Sequence, residues 1–198
     1  MNYSDNLKYI WWGYGACGSK SMSGILETHF DLQYYGRNTP GIPEGKEDYE
    51  VIVNFRNPYH WILSGYLDNK GNGFDGTFED FVEQVLHYKT EFLCQSEILE
   101  KCKPKFIRCE NMYSDVLKIP VLAKHLGEGD KDYVKEVLNN PNYKSHRKPT
   151  TKLLMSFYWN NKLANKFYKE TKPFFKMAKY LKNSWKTGIH WRGYEACI

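Results

Sequence analysis

The sequence lacks the cysteine patterns and the long apolar runs that mark disulfide-bonded, zinc-binding or membrane-spanning proteins. Its five cysteines are odd in number and include no C-x-x-C pair, so we expect neither a disulfide framework nor a structural zinc site. No run of about 18 apolar residues is present, so no membrane span is predicted. The first residues lack the basic and apolar regions of a secretory signal. We therefore predict a soluble, cytoplasmic protein, or a catalytic domain of a longer chain.

The composition is typical of a folded chain. Hydrophobic residues make up 41% of the 198 positions and aromatic residues 17%, and internal repeats and low-complexity tracts are absent. A chain of this length can bury a hydrophobic core without the help of disulfides or metals. We therefore predict a single domain over residues 1–198.

Positive charge is concentrated near the end of the sequence. Residues 141–198 contain 13 of the 28 basic residues but only 2 of the 23 acidic ones, a net charge of +11, whereas residues 1–140 carry a net charge of −6. Such a segment suits an anionic partner, which could be nucleotide phosphates, an acidic polymer or nucleic acid. A lysine-rich helical face exposed to solvent would give the same pattern.

Segments with the patterns of strands and helices alternate along the chain. The predicted strands are 7–14, 29–35, 49–55 and 105–109. The predicted helices are 20–27, 58–69, 78–87, 114–126, 130–138 and 153–181, the last broken near Pro173. Thr77 is expected to cap the helix 78–87, with Asp80 in its first turn. The alternation predicts an α/β fold with a parallel sheet covered by helices on both faces, followed by a helical, basic C-terminal part.

A turn rich in small residues, GYGACGSKS at 13–21, follows the first predicted strand and opens a helix. Small residues let backbone N–H groups converge on an anion, and a helix N-terminus adds partial positive charge, so the turn is suited to binding phosphate. The alternative is a tight strand-to-helix turn with a serine cap, but the strand–turn–helix context favours phosphate binding. The spacing of a Walker A loop is missed by one residue, because Ser19 stands between Gly18 and Lys20. The strand 51–55 is followed by Arg56, which cannot hold magnesium as the acidic residue of an NTPase does.

A second pattern, VIVNFRNPYHWILSGY, occupies residues 51–66. Arg56 follows the strand at its carboxyl end, where open α/β sheets bind ligands, and its planar fork suits a phosphate. Ser64 lies two turns into the helix that follows and can face the same crevice.

In these two segments the sequence resembles the PAPS-dependent sulfotransferases, most closely the carbohydrate sulfotransferases. PAPS is 3′-phosphoadenosine-5′-phosphosulfate, the donor of the sulfuryl group. The family's R-[DN]-P-x-x-R-x-x-S-x-[YW] motif, which binds the 3′-phosphate, is matched at Arg56, Asn57, Pro58, Ser64 and Tyr66. Its P-K-x-G-[ST]-[ST]-x-[LW] motif, which binds the 5′-phosphosulfate, aligns with residues 15–22.

The resemblance implies a P-loop-like fold of three α/β/α layers around a central, mostly parallel sheet. It implies in-line displacement at sulfur, with PAPS as co-substrate, PAP as product and no metal ion. The expected acceptor is a hydroxyl or amine, most naturally of a carbohydrate. Neither a membrane nor nucleic acid is expected as a partner, and the oligomeric state is left open.

The resemblance also implies the residues of the site. Those expected to bind the nucleotide are Ala16, Cys17, Gly18, Ser19, Lys20, Ser21, Met22, Arg56, Ser64, Arg147 and Lys148. Ala16 stands in the place of the family's catalytic lysine, so Lys20, or alternatively Lys8, is expected to supply the positive charge. The candidates for the general base are Glu27, His29 and Glu91, together with His87. His60 is expected to cap or pack its helix.

Two other classes of function remain open from the sequence. A P-loop kinase or NTPase would explain Lys20 but neither the spacing of the turn nor the absence of an acidic residue after strand 51–55. A non-catalytic binder of sulfated glycans or single-stranded nucleic acid would explain the aromatic run 157–159 beside Lys162, Lys166 and Lys169. Aromatic residues at helical spacing are, however, more commonly part of a core.

Overall fold

The computed structural model describes residues 2–14, 17–34, 42–88, 96–139, 151–188 and 190. The chain divides into two compact units, and each unit is built from two separate stretches of sequence. Met1–Arg56 and Ile98–His146 form what we call the sheet unit, and Asn57–Glu97 and Arg147–Ile198 form the helical unit. The prediction of one domain over 1–198 stays a prediction beside this division.

The sheet unit contains a five-stranded mixed sheet, which confirms the predicted α/β class. The strands are β1 (Asn2–Ser4), β2 (Tyr9–Gly13), β3 (Gln33–Tyr34), β4 (Glu50–Phe55) and β5 (Lys105–Arg108), in the spatial order β3-β1-β2-β4-β5. The pairs β2–β4 and β4–β5 are parallel, whereas β1 is antiparallel to both of its neighbours. The expected parallel sheet is therefore present in β2, β4 and β5, with an antiparallel extension on one side.

Strands β2 and β4 form because their sequences are almost continuously apolar, as is typical of strands buried on both faces. All five residues of β2 are buried, as are the last five of β4. The helices of this unit are α1 (Ser19–His29), α5 (Met112–Val116), α6 (Pro120–Ala123) and α7 (Glu128–Asn139), and α4 (Ser96–Cys102) lies where the chain re-enters it. One core cluster joins side chains of the sheet, α1 and α7, among them Trp11, Leu26, Ile52, Ile107 and Val134.

The described part of the helical unit consists of helices: α2 (Pro58–Gly71), α3 (Phe78–His87), α8 (Thr151–Tyr158), α9 (Asn161–Met177) and α10 (Ser184–Thr187). Its core is aromatic. The Tyr59 ring meets Trp159, Phe167 and Phe175 at centroid distances of 4.8, 5.7 and 4.9 Å. Such tilted and edge-to-face contacts add to the stabilisation from buried area.

The predicted cap of the helix 78–87 is confirmed. The Thr77 side chain accepts from the Asp80 amide, and the Asp80 carboxylate accepts from the Thr77 amide at 2.8 Å, which makes a capping box. This reciprocal pair satisfies two backbone donors that a helix N-terminus leaves without partners.

Three predicted elements differ in the structure. The helix 114–126 is two short helices, α5 and α6, because Pro120 starts the second one. The break in 153–181 lies at 159–160 and not at Pro173, since the Asn160 side chain caps α9 by accepting from the Leu163 amide, and α9 continues through the proline. The strand 29–35 shrinks to β3 because α1 extends to His29. Among the described helices, none has the length and apolar character needed to cross a membrane.

Candidate functional site

The glycine-rich turn begins at Gly13, the last residue of β2, which lies against the Trp11 side chain of the same strand. A Cβ atom added to Gly13 would lie 2.5 Å from Cη2 of Trp11 and 3.0 Å from Cβ of Ser19. Real side chains do not tolerate the first of these distances, so only glycine lets the backbone leave the strand here. The close packing of Trp11 fixes the direction in which the chain enters the turn.

Gly18 closes the turn and starts α1. Its φ of 74° lies in the left-handed region, and an added Cβ would lie 3.1 Å from the Met112 sulfur. Gly18 has no side chain with which to cap α1, and the first turn of α1 contains no acidic residue. A helix N-terminus of this kind directs backbone N–H groups and a partial positive charge outward, which together attract an anion. Ser19 is half-buried there, and Lys20 is exposed.

Asn54 ties this turn to the sheet. Its fully buried side chain accepts a hydrogen bond from Trp11 Nε1 at 2.7 Å and donates one from Nδ2 to the Cys17 carbonyl at 3.4 Å. Sequence reasoning did not single out Asn54. The signal available was an amide residue inside an otherwise apolar strand, because buried polar groups need hydrogen-bond partners.

The carboxyl ends of the three parallel strands meet at one edge of the sheet. Gly13 lies opposite Asn54 and Phe55 opposite Arg108, and the amide of Cys109 donates to the Phe55 carbonyl at 2.7 Å. The glycine-rich turn, Arg56 and residues 109–110 directly follow these strands, so they lie at this edge. In open α/β sheets, such an edge is where ligands bind.

The pKa of the Cys17 thiol depends on its burial and on the charged groups around the turn. Burial raises the pKa of Cys17 well above its usual range, and Cys109 adds to the rise. The positive charge of Arg56 and a backbone hydrogen bond from Arg56 oppose the rise, whereas the charge of Glu110 adds to it. Cys17 therefore stays a neutral thiol at neutral pH and does not act as a nucleophile. Arg56 and Glu110 both lie within electrostatic reach of the turn.

Arg56 is only 5% exposed, and Met22 is fully buried. The Met22 amide donates to the Gly18 carbonyl at 3.1 Å, so its backbone and its side chain are both engaged within the fold. Among the residues predicted to bind the nucleotide, the structure therefore brings together Cys17, Gly18, Ser19 and Arg56, with the exposed Lys20 at the start of α1.

The candidate bases on α1 lie away from the turn. Counted along the helix axis from Ser19, Glu27 is about 12 Å away and His29 about 15 Å. Glu27 is exposed, and His29 Nδ1 lies 3.4 Å from Asp130 Oδ1. The structure therefore does not bring these two residues to the glycine-rich turn. Lys8 is likewise remote, because it precedes β2 at the opposite end of that strand from Gly13 and pairs with Asp48.

Other predicted residues belong to the helical unit. Ser64 is buried in α2. His60 packs its ring at 5.0 Å from that of His190, as expected of a packing residue. Asn57 caps α2 by accepting from the Tyr59 amide, and its Nδ2 lies 2.9 Å from His190 Nδ1. His87 ends α3 as an exposed residue. In the sheet unit, Ser21 is half-buried in the first turn of α1. Four other predicted residues lie outside the described residues: Ala16, Glu91, Arg147 and Lys148.

Sequence reasoning did not single out Glu110, which directly follows the predicted strand 105–109. The structure makes β5 the neighbour of β4 and so brings Glu110 to the same edge as Arg56. The signal available was an acidic residue just after a predicted strand, but its relevance to the site depends on the order of the strands in the sheet. In the described ranges, no group of three or more His, Cys, Asp or Glu side chains could hold a metal ion.

Comparison with known proteins adds no family assignment. No protein-family model, no curated protein and no solved structure matches the chain. The functional conclusion therefore depends on the residues and geometry of this chain.

Proposed function

We propose that the chain is a sulfotransferase that binds PAPS and transfers its sulfuryl group to a hydroxyl or amine of an acceptor, most naturally a carbohydrate. The observation that carries the proposal is the position of the α1 N-terminus, which begins at Gly18 in the glycine-rich turn and lies at the same edge of the sheet as Arg56. The three-layer, P-loop-like arrangement that the resemblance implies is part of this proposal.

Two anionic groups of PAPS need two sets of cations or donors. The amide groups at the start of α1, with Lys20, suit the 5′-phosphosulfate, because helix N-termini and lysine both attract anions. Arg56 suits the 3′-phosphate, since its guanidinium can bind two phosphate oxygens at once. Ser64 belongs to the helical unit, and its role as a hydroxyl donor stays a prediction from the sequence.

In the reaction, the acceptor oxygen or nitrogen forms a bond to sulfur while the bond from sulfur to the phosphate oxygen breaks. Negative charge develops on the departing PAP phosphate, where Lys20 and the α1 amide groups stabilise it. The acceptor's proton passes to a base, and we propose Glu110 for this role because it lies at the edge where the nucleotide would bind.

A phosphotransferase that uses a magnesium–nucleotide complex is the second candidate, and Glu110 is the observation that favours it. An NTPase needs an acidic residue after a strand next to its phosphate loop. Arg56 fails this requirement after β4, but Glu110 follows the next parallel strand, β5.

Thermal unfolding with added nucleotides tests both candidates. We expect PAP at about 100 times its Kd to stabilise the protein by about 2.7 kcal/mol, which raises the melting temperature by about 5–10 °C for a chain of this size. Arg56→Ala should abolish this rise. Arg56→Lys keeps the positive charge but loses the planar fork, so it should weaken the rise. Because this variant keeps the charge, it also controls for a loss of the fold in Arg56→Ala. Lys8→Ala, which removes one positive charge at the remote end of β2, should leave the rise unchanged.

Two results would decide against the sulfotransferase. One is the absence of any shift with millimolar PAP or PAPS for folded protein. The other is a shift with ATP that requires magnesium and is lost in Glu110→Gln, which would establish the phosphotransferase instead.

A further inference from the structure

One face of α9 carries an uninterrupted row of lysines. Five of them are exposed and follow one another at intervals of three or four residues, which places them on one side of a helix. We call this row the α9 lysine stripe; it consists of Lys162, Lys166, Lys169, Lys172 and Lys176. The opposite side of α9 is buried in the helical unit and includes Leu163, Phe167 and Phe174.

Little negative charge offsets the stripe. Residues 151–188 contain nine lysines and one acidic residue, Glu170, a net charge of +8. In the described residues, one stripe lysine forms an ion pair, Lys166 with Glu83 of α3. The positive face therefore has capacity for an external anion.

The stripe destabilises its own helix. Like charges three or four residues apart repel each other, and the stripe contains four such pairs in succession. A helix that is exposed only for solubility typically intersperses acidic and basic residues, which removes this repulsion. A linear polyanion lying along the stripe would remove it too.

We propose that the α9 lysine stripe binds a linear acidic polysaccharide that carries carboxylate or sulfate groups. The stripe is about 21 Å long from Lys162 to Lys176, at a rise of about 1.5 Å per residue. This length and single-sided charge fit an extended chain better than a small anion, which one or two lysines would hold. The proposal is independent of the nucleotide site.

The placement of the aromatic rings on α9 favours a polysaccharide over nucleic acid. Single-stranded nucleic acids need exposed rings on which bases stack. On α9 the phenylalanine rings are buried, and the Tyr168 ring is covered by Lys182, whose ammonium lies 5.5 Å from its centroid.

The test compares two triple variants that lose the same charge. Lys162→Gln, Lys169→Gln and Lys176→Gln together remove alternate members of the stripe. Lys101→Gln, Lys118→Gln and Lys124→Gln remove three exposed lysines of the sheet unit. The probe is a size-defined heparin oligosaccharide, titrated by calorimetry at several salt concentrations, with a single-stranded oligonucleotide of equal charge as the competing ligand.

We expect the wild type and the sheet-unit triple to bind heparin alike. The stripe triple should bind about tenfold or more weakly, with a shallower dependence of log Kd on log salt, because fewer counterions are released. Without ligand, it should also melt no lower than the wild type, since repulsion is relieved. Absence of heparin binding, or equal weakening in both triples, would overturn the proposal. Tighter, stripe-dependent binding of the oligonucleotide would overturn it in favour of a nucleic-acid surface.

Discussion

Replacing Asn54 by leucine removes both hydrogen bonds that its side chain makes in the interior of the sheet unit. The Trp11 indole N–H, bonded at 2.7 Å in the wild type, loses its acceptor, and the Cys17 carbonyl loses its longer bond at 3.4 Å. A buried donor left without a partner costs about 1–3 kcal/mol, and a buried acceptor adds to this. Leucine has the same branching and number of heavy atoms as asparagine, so the lost hydrogen bonds dominate, and we expect a loss of about 2–4 kcal/mol in the free energy of unfolding.

A double-mutant cycle isolates the Trp11–Asn54 bond. Trp11→Phe, Asn54→Leu and the double variant are unfolded in urea and followed by circular dichroism. Since Trp11→Phe removes the donor, Asn54→Leu should cost at least about 1 kcal/mol less in that background than in the wild type. Trp12→Phe provides the control, because Trp12 Nε1 is buried without a hydrogen-bond partner. Its cycle with Asn54→Leu should be additive within about 0.5 kcal/mol.

If the losses in unfolding free energy of Trp11→Phe and Asn54→Leu simply add, the hydrogen bond between the two side chains does not stabilise the pairing of β2 with β4. Equal coupling in the Trp11 and Trp12 cycles would lead to the same conclusion, since it would attribute the effect to repacking of β2 as a whole.

Two further predictions concern ionic groups. Asp115 accepts from Arg108 Nε at 2.7 Å and from its Nη2 at 2.6 Å. Asp115→Asn removes the negative charge from this partly buried ion pair, so it should cost about 3 kcal/mol in urea unfolding. A cost no larger than that of an exposed substitution would contradict this. Hydrogen bonds from the side chain and backbone of Thr77 hold the pKa of Asp80 below its ordinary value of 3.8, so their stabilisation is present above pH 3.8 and is lost as the pH falls through the lowered pKa. The difference in unfolding free energy between wild type and Asp80→Asn should therefore shrink below that pH, and a difference constant from pH 6 to pH 2 would show that the capping carboxylate does not contribute.

Local patterns determined what the sequence could predict. The apolar runs of β2 and β4 and the Thr77–Asp80 box depend on neighbouring residues, and the structure confirms them. Strand β1 has three residues and no apolar run. It forms because it pairs with β2, with Asn2 opposite Trp11. Pro173 shows the converse: α9 continues through the proline, which removes one backbone donor from the helix, and the Asn160 cap sets the boundary instead.

The residues of the candidate site likewise fall into those recognisable from local sequence and those that depend on the fold. Gly18 and Arg56 are recognisable from their positions beside strands, and the structure brings both to one edge of the sheet. Asn54 and Glu110 gain their meaning only from the order and register of strands far apart in sequence. The distance of Glu27 and His29 from the turn likewise depends on α1 running unbroken to its eleventh residue.

Each unit's assembly from two stretches of chain has a consequence for synthesis on the ribosome. Residues 57–97 emerge long before 147–198, which supply Trp159, Phe167 and Phe175 around Tyr59. At about 5–20 residues per second, the apolar faces of α2 and α3 stay exposed for about 5–20 s while residues 98–198 are synthesised. The sheet unit, in contrast, is complete once residue 146 has emerged. We therefore expect the helical unit to be the part of the nascent chain that is prone to aggregation, and a fragment that ends before α8 would expose the same surface permanently.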